Sequence, residues 1–254
     1  MQSVFSTKRS FARAISSASR LFQKAPLSGQ RILAYHSIGN SVDGDVNHIY
    51  SLSRSEFVKQ IESVQQFAEQ HNFTFAPFGT PRDKTICITF DDGYSDVLTV
   101  AAPVLSKYKI PFHVFISPQK AETNDQRYLS TPEIKEIYSV DTATIGAHGY
   151  SHTSLTSISS ELAKIELSRS KSVLENILSS PVDSMSYPYG HTNEHITRIA
   201  QHVGFTHAAC SKWGFAAENS HPLMQSRIDM WAGDTHRDVQ LKLYGAWNWF
   251  HRFT

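Results

Sequence analysis

Cysteine is scarce in this chain of 254 residues. Its two residues, Cys87 and Cys210, cannot build a disulfide framework or a cysteine zinc cluster. Both sit in short apolar runs, ICITF and THAAC, which predicts two buried free thiols. Long hydrophobic runs are missing as well: none approaches the ~18 apolar residues of a membrane span. Net charge is almost absent, formally +1, so composition gives no general reason to expect nucleic acid as a partner. The interior of 31–254 holds no internal repeat, no low-complexity segment and no Gly/Ser linker. An apolar fraction of 40% with 19% charged residues argues for a folded globular protein over a disordered one.

Acid is missing altogether before Asp43, while the same stretch carries Lys8, Arg9, Arg13, Arg20, Lys24 and Arg31. Near-zero charge therefore averages a basic leader and a mildly acidic body. Residues 1–24 also lack the apolar core of ~7–15 residues that a secretory signal needs. Phe5, Phe11, Ile15 and Phe22 fall roughly at helical spacing. Three readings stand: a solvated basic tail, an amphipathic helix making a peripheral membrane contact, or an organelle transit peptide. We expect residues 1–30 to be a basic tail or amphipathic segment and 31–254 to be one catalytic domain. The expected location is cytoplasmic or peripheral on the inner membrane face.

Short apolar strands are predicted over 31–38, 84–90, 112–117, 142–148, 184–190, 205–211 and 226–230. Amphipathic helices are predicted between and after them, over 53–71, 94–108, 131–139, 158–178, 192–204 and 238–253. Ser53 or Ser55 is expected near the first cap, Thr131 as an N-cap before Pro132, and Gly204 as a helix stop. Regular alternation indicates an α/β fold with a mainly parallel sheet, and seven strand-like segments suit a barrel better than an open sheet. In such barrels chemistry sits where strands end.

Four candidate sites lie at strand ends. Asp91-Asp92 follows an apolar strand, and paired carboxylates there are costly unless a cation compensates them; a solvated Asp-Asp-Gly turn is the alternative. His148 and His152 are spaced to bind one ion, or are a surface pair. Gly149 between them excludes the metalloprotease motif, which has a glutamate there. Together these segments offer two imidazoles and a carboxylate, a set that leaves metal positions open for water and substrate. Tyr187-Pro188-Tyr189-Gly190 and Tyr35-His36 are the other two, each also readable as purely structural.

TFDDG (89–93), HGYSH (148–152) and SYPYG (186–190), in this order and spacing, resemble the polysaccharide deacetylases of the NodB-homology type, carbohydrate esterase family four. The resemblance spans roughly 31–230 and includes the connecting YLSTPEIKEI and SHTSLTSISSELAKIELSRSKSVLE. It implies a distorted (β/α)7 barrel that removes acetyl groups from N-acetylated sugars of a poly- or oligosaccharide. It implies Asp92, His148 and His152 as ligands of a divalent metal, Zn2+ with Co2+ or Ni2+ as substitutes. Asp91 matches the general base. The Tyr189 main-chain N–H matches the oxyanion donor, with Tyr187 and Pro188 beside the substrate.

Two departures matter. The family's third motif usually carries an arginine that orients the base, and Ser186 stands there; Arg227 is the best replacement, because a guanidinium can grip a carboxylate from another strand. The usual C-terminal Leu-x-His, source of the general acid, is also missing from LKLYGAWNWF (241–250). Both changes resemble a branch that includes deacetylases of poly-β-1,6-N-acetylglucosamine, where an early histidine replaces the acid. That makes His36 the acid, with a neutral structural His36 bonded to a carbonyl as its rival.

An O-deacetylase, a deformylase on a lipid-linked sugar, or a noncatalytic carbohydrate-binding relative are the alternatives within this resemblance. A non-haem iron oxygenase shares two histidines and a carboxylate but not the adjacent aspartates. Of 13 histidines, His191 could touch substrate, while His195, His202 and His207 are expected on surfaces or helices. Trp247, Trp249, Phe250 and Phe253 are expected to pack across the barrel, with a membrane-facing or sugar-stacking role as the alternative.

Overall fold

The computed structural model describes residues 27–80, 83–217 and 220–248. The basic segment 1–24 and the aromatics Trp249, Phe250 and Phe253 lie outside them. In chain order the strands are β1 (Arg31–Tyr35), β2 (Thr74–Phe75), β3 (Thr85–Phe90), β4 (Phe112–Ile116), β5 (Ala143–Ala147), β6 (Ser184–Ser186), β7 (His207–Trp213) and β8 (Gln225–Asp229). The helices are α1 (Arg54–His71), α2 (Ala102–Lys107), α3 (Pro118–Ala121), α4 (Thr131–Tyr138), α5 (Ser160–Leu178), α6 (Glu194–Val203) and α7 (His236–Leu243). Every strand pairing is parallel. β1 pairs with both β3 and β8, which closes seven strands into a barrel, and β2 adds to the start of β3 outside the ring. This is the distorted (β/α)7 barrel.

Strand parity divides the apolar residues into two clusters, because successive side chains face opposite sides. Leu33, Tyr35, Ile86, Ile88, Phe90, Val114 and Ile116 face outward and meet Phe57, Ile61, Val64 and Phe67 of α1 and the other helices. Each large side chain buried there contributes roughly 1.5–3 kcal/mol. The inward cluster is small: Ile32, Phe78, Cys87, Phe115, Ala209 and Ala216. Most of the remaining inward positions are polar, with Ala34 and Gly146 as small exceptions. Thr89 and Asp91 follow Cys87 at two-residue steps, as His113 precedes Phe115. Gly146 faces inward on β5, where a Cβ would come within 2.6 Å of both the His113 and Phe115 rings.

Helix boundaries follow local chemistry. Ser53, rather than Ser55, caps α1 in a reciprocal box with Glu56. Thr131 proves to be the first helical residue of α4; Ser130 is the cap, boxed with Glu133. The segment expected as a helix from 94 instead opens with a π-helical turn over Val97–Ala101 before α2, and Pro103, lacking an N–H, stands where the regular ladder begins. Gly204 ends α6 in the left-handed conformation, as expected. The final helix is shorter than 238–253: it starts at His236 behind a Thr235 cap and stops at Leu243, before Gly245 at φ +80. Trp247 is buried against Trp213 and Trp231, and both cysteines are buried free thiols. No helix among the described residues is long and apolar enough to cross a membrane.

Candidate active site

The three motif turns and the end of β1 meet at the carboxyl ends of the strands, around a cleft of about 710 Å3. Its lining includes His36, Asp91, Asp92, His148, His152, Tyr189 and Arg227, so the predicted residues converge apart from Tyr187 and Pro188. Those two are buried behind the wall: Tyr187 donates its hydroxyl to the Leu223 carbonyl at 3.0 Å.

Each motif turn holds its functional residue in a left-handed backbone conformation: Asp92 at φ +72, His152 at φ +60 and Tyr189 at φ +58. Such strain persists at a non-glycine residue only when the surroundings impose it. At the third turn the constraint is close packing: Gly190, at φ +67, lies so near β7 that a Cβ would meet Ser211 at 2.1 Å. Tyr189, next to it, projects its ring 59% exposed, 4.7 Å from the His152 ring and stacked at 5.9 Å on His191. His191 also lines the cleft.

Asp91 is buried and gripped by Arg227 from β8, with Nη1 donating to Oδ1 at 2.8 Å and Nη2 to Oδ2 at 2.7 Å. The Ser186 hydroxyl sits between them, accepting from Arg227 Nη2 at 2.9 Å and donating to Asp91 Oδ2 at 3.3 Å. Burial opposes the Asp91 charge, yet Arg227 and then His148 outweigh it and bring the carboxyl down to about 2. Burial likewise opposes the Arg227 charge, and Asp91 raises it in return.

Asp92 faces the other way. Its Oδ1 is 3.3 Å from His148 Nε2 and 3.0 Å from His152 Nε2. Nδ1 of His148 lies 2.8 Å from the Ser186 carbonyl, which leaves Nε2 for the site. Among the described residues these three form the one group of this kind, all ligand atoms lying within 4.8 Å of one another. Burial opposes the Asp92 charge, but the two imidazoles hold the carboxyl well below its ordinary range. Burial also opposes charge on His148, and Asp91 and Asp92 outweigh it, drawing a proton toward the ring. A divalent cation answers the same excess of negative charge, and two imidazole nitrogens with one carboxylate oxygen suit Zn2+, Co2+ or Ni2+.

His36 stands across the cleft, its ring 4.5 Å from Tyr50, and its charge acts on Asp91, Asp92 and Asp229. Its Nδ1 is buried and takes no hydrogen bond, so the carbonyl contact of the structural alternative is not made at that nitrogen.

Three participants were missed. Asp229, two residues beyond Arg227, enters the same cleft, and burial raises its carboxyl while His36, Arg227 and Lys242 pull it down. The two-residue step was its available signal. Ser186 fills the place of the absent arginine with a hydroxyl. Glu166 of α5 accepts the Tyr150 and Ser151 N–H groups at 3.1 and 2.9 Å and the Ser151 hydroxyl at 2.9 Å, bracing the loop between the two histidines. No local signal marked it. His195, His202 and His207 contact Ser160, the Arg198 carbonyl and Thr206, away from the cleft.

Comparison with known proteins bears on the family and the fold. The family model described as polysaccharide deacetylase matches residues 78–208. The poly-beta-1,6-N-acetyl-D-glucosamine N-deacetylase of Staphylococcus aureus is 28% identical over 185 residues, 66% of this chain and 62% of that protein. YxkH of Bacillus subtilis is 27% identical over 139 residues, 55% of this chain and 49% of that protein. The chain thus spans about half to three-fifths of the length of these curated relatives. Among solved structures, the Streptococcus pyogenes deacetylase PplD in complex with acetate has a TM-score of 0.73 at 21% identity, covering 86% of this chain and 99% of that one. IcaB from Ammonifex degensii has a TM-score of 0.68 at 22% identity, covering 85% and 97%. At such identity these two support the fold.

Proposed function

Because the chain belongs to the polysaccharide deacetylase family, we propose that it hydrolyses the acetamide of N-acetylated sugars in a poly- or oligosaccharide, releasing acetate and a free amine. The observation that carries this reading is the division of labour between adjacent carboxylates. Asp91 is locked to Arg227, while Asp92 converges with two imidazoles. One is arranged to handle a proton, the other to bind a cation.

Asp92, His148 and His152 would hold the divalent metal, whose chemistry is to polarise the carbonyl and acidify water. Asp91, kept ionised and oriented by Arg227, takes a proton from the attacking water. The Tyr189 main-chain N–H donates to the oxyanion that develops on the acetyl carbonyl oxygen as water adds to the carbon. His36, as imidazolium, gives its proton to the sugar nitrogen as the C–N bond breaks. Asp229 lines the same cleft as His36 and Arg227, and its carboxyl interacts electrostatically with both where that proton is held.

The name of the Staphylococcus aureus relative makes β-1,6-linked N-acetylglucosamine oligomers the first substrate to assay. The test is acetate release by the purified protein from β-1,6- and β-1,4-linked oligomers, with O-acetylated and N-formylated sugars as parallel arms. Activity is expected on the N-acetylated arm, lost with a chelator and restored by Zn2+ or Co2+. Release confined to the other arms would move the assignment to O-deacetylation or deformylation, and none in any arm would overturn the hydrolase reading. His36→Gln is expected to lower kcat by about 10²–10⁴-fold with metal content intact; full activity in that variant would remove His36 as acid.

A further inference from the structure

Lys242 is fully buried, and the scheme above gives it no part. Burying an ammonium carries a large desolvation penalty even when the charge is paired, and replacing a buried ion pair with apolar groups is often neutral or stabilising. Stability is therefore a weak reason for a lysine at this position. Its geometry supplies a stronger one. Nζ donates to the main-chain carbonyl of Asp229 at 2.7 Å and to Asp234 Oδ2 at 2.5 Å. Three indole rings surround it, Trp231 at 4.1 Å, Trp247 at 5.3 Å and Trp213 at 5.5 Å. Asp234 Oδ2 also accepts the Trp231 main-chain N–H at 2.9 Å. One ammonium from α7 thus joins the last residue of β8 to the turn that follows it.

The same short segment is held from other sides. The Met230 N–H donates to the Ala34 carbonyl at 2.9 Å, two residues before His36, and the Ala232 N–H to the Ile49 carbonyl at 2.8 Å, beside Tyr50. The end of β8 is therefore where α7, β1 and the cleft wall are brought into register. Asp229 is the residue at that junction whose side chain enters the cleft, and the charges of His36, Arg227 and Lys242 all act on it.

We propose that Lys242 is a positioning residue for the reaction: its ammonium fixes the end of β8 so that the Asp229 carboxylate is held within electrostatic reach of His36 and Arg227. The proposal rests on the deacetylase reading, with His36 as the proton donor. Lys242 touches no reacting atom in this account and acts through Asp229.

The decisive variant is the double replacement K242M/D234N, which removes both buried charges together and leaves an amide oxygen to accept the Trp231 main-chain N–H. It is expected to fold, with cooperative melting and wild-type metal content. Its KM should stay within about twofold, while kcat per folded molecule falls about tenfold or more, the scale on which small misplacements act. Unchanged kcat would overturn the proposal. So would a rise in KM or a loss of metal accompanying the fall in kcat, since that pattern marks general loosening of the cleft. Amide hydrogen exchange supplies a readout that needs no turnover: faster exchange confined to 228–232 supports the tie, and unchanged exchange there removes it. A wild-type protein without deacetylase activity sinks the functional reading instead, and that result is in hand before the variant is made.

Discussion

Arg227 and Asp91 form a forked, buried ion pair across the barrel, two parallel N–H···O contacts at 2.8 and 2.7 Å between β8 and the end of β3. The fork fixes the carboxylate's plane as well as its charge, and the Ser186 hydroxyl closes the third side. An arginine on a distant strand has taken the place that the resemblance leaves vacant at Ser186.

Lysine cannot reproduce that fork, because its ammonium is a point charge on a flexible stem. Arg227→Lys is expected to bind metal normally but to lose about 10²-fold in kcat, the scale of a misplaced catalytic group. Arg227→Met leaves the Asp91 carboxylate buried without its partner, which costs about 3–5 kcal/mol of stability. It also raises the Asp91 carboxyl from its native value of about 2, because Arg227 is the strongest influence opposing burial. The acid limb of kcat/KM should therefore move to higher pH in Arg227→Met. A pH profile with the acid limb unmoved would show that Arg227 does not keep Asp91 ionised.

Glu166 reaches the site through the loop between the two histidines. Its carboxylate accepts two N–H groups and a hydroxyl from Tyr150 and Ser151, between the histidines that converge on Asp92. Glu166→Ala removes all three hydrogen bonds and frees the turn carrying His152 at φ +60. Metal affinity is expected to weaken by about 10–100-fold, the usual effect of losing a group that orients ligands. Competition with a chromophoric chelator measures this directly. Equal affinity in the variant and the wild type would mean that the loop keeps its shape without Glu166.

The barrel and the turns of the site were legible because their signals are local. Alternating apolar runs and helical spacing announce the strands and helices. Asp91-Asp92, His148 and His152 stand where strands end, and their residue types already limit the chemistry. Asp229 was within reach of the same logic, since the two-residue step from Arg227 returns to the inner face. Glu166 and Lys242 were not. Each lies on a helix whose charged residues by default face solvent, and each is claimed by backbone groups far away in sequence: Glu166 by 150–151, Lys242 by Asp229. The early end of α7 was hidden for a related reason, because aromatic residues continue past Gly245 and prolong an apparent helix that the left-handed backbone there breaks.

His113 links the polar interior to acid stability. It faces inward from β4, 1% exposed, with Nε2 3.0 Å from the Ser184 hydroxyl and its ring against Phe78 and Phe115. Burial pushes its imidazole down to about 3 from an ordinary 6.5. The unfolded chain therefore takes up a proton near 6.5 that the folded barrel refuses until about 3. The stability tied to a neutral His113 is intact above 6.5 and is lost as pH falls through that window. One such proton steepens the pH dependence of unfolding by up to about 1.4 kcal/mol per pH unit. His113→Gln keeps an amide to meet Ser184 and cannot take up the proton. Urea unfolding at several pH values between about 4 and 6 should give a slope shallower by nearly that amount in the variant. Equal slopes in the two proteins would place the acid sensitivity of the barrel on other groups.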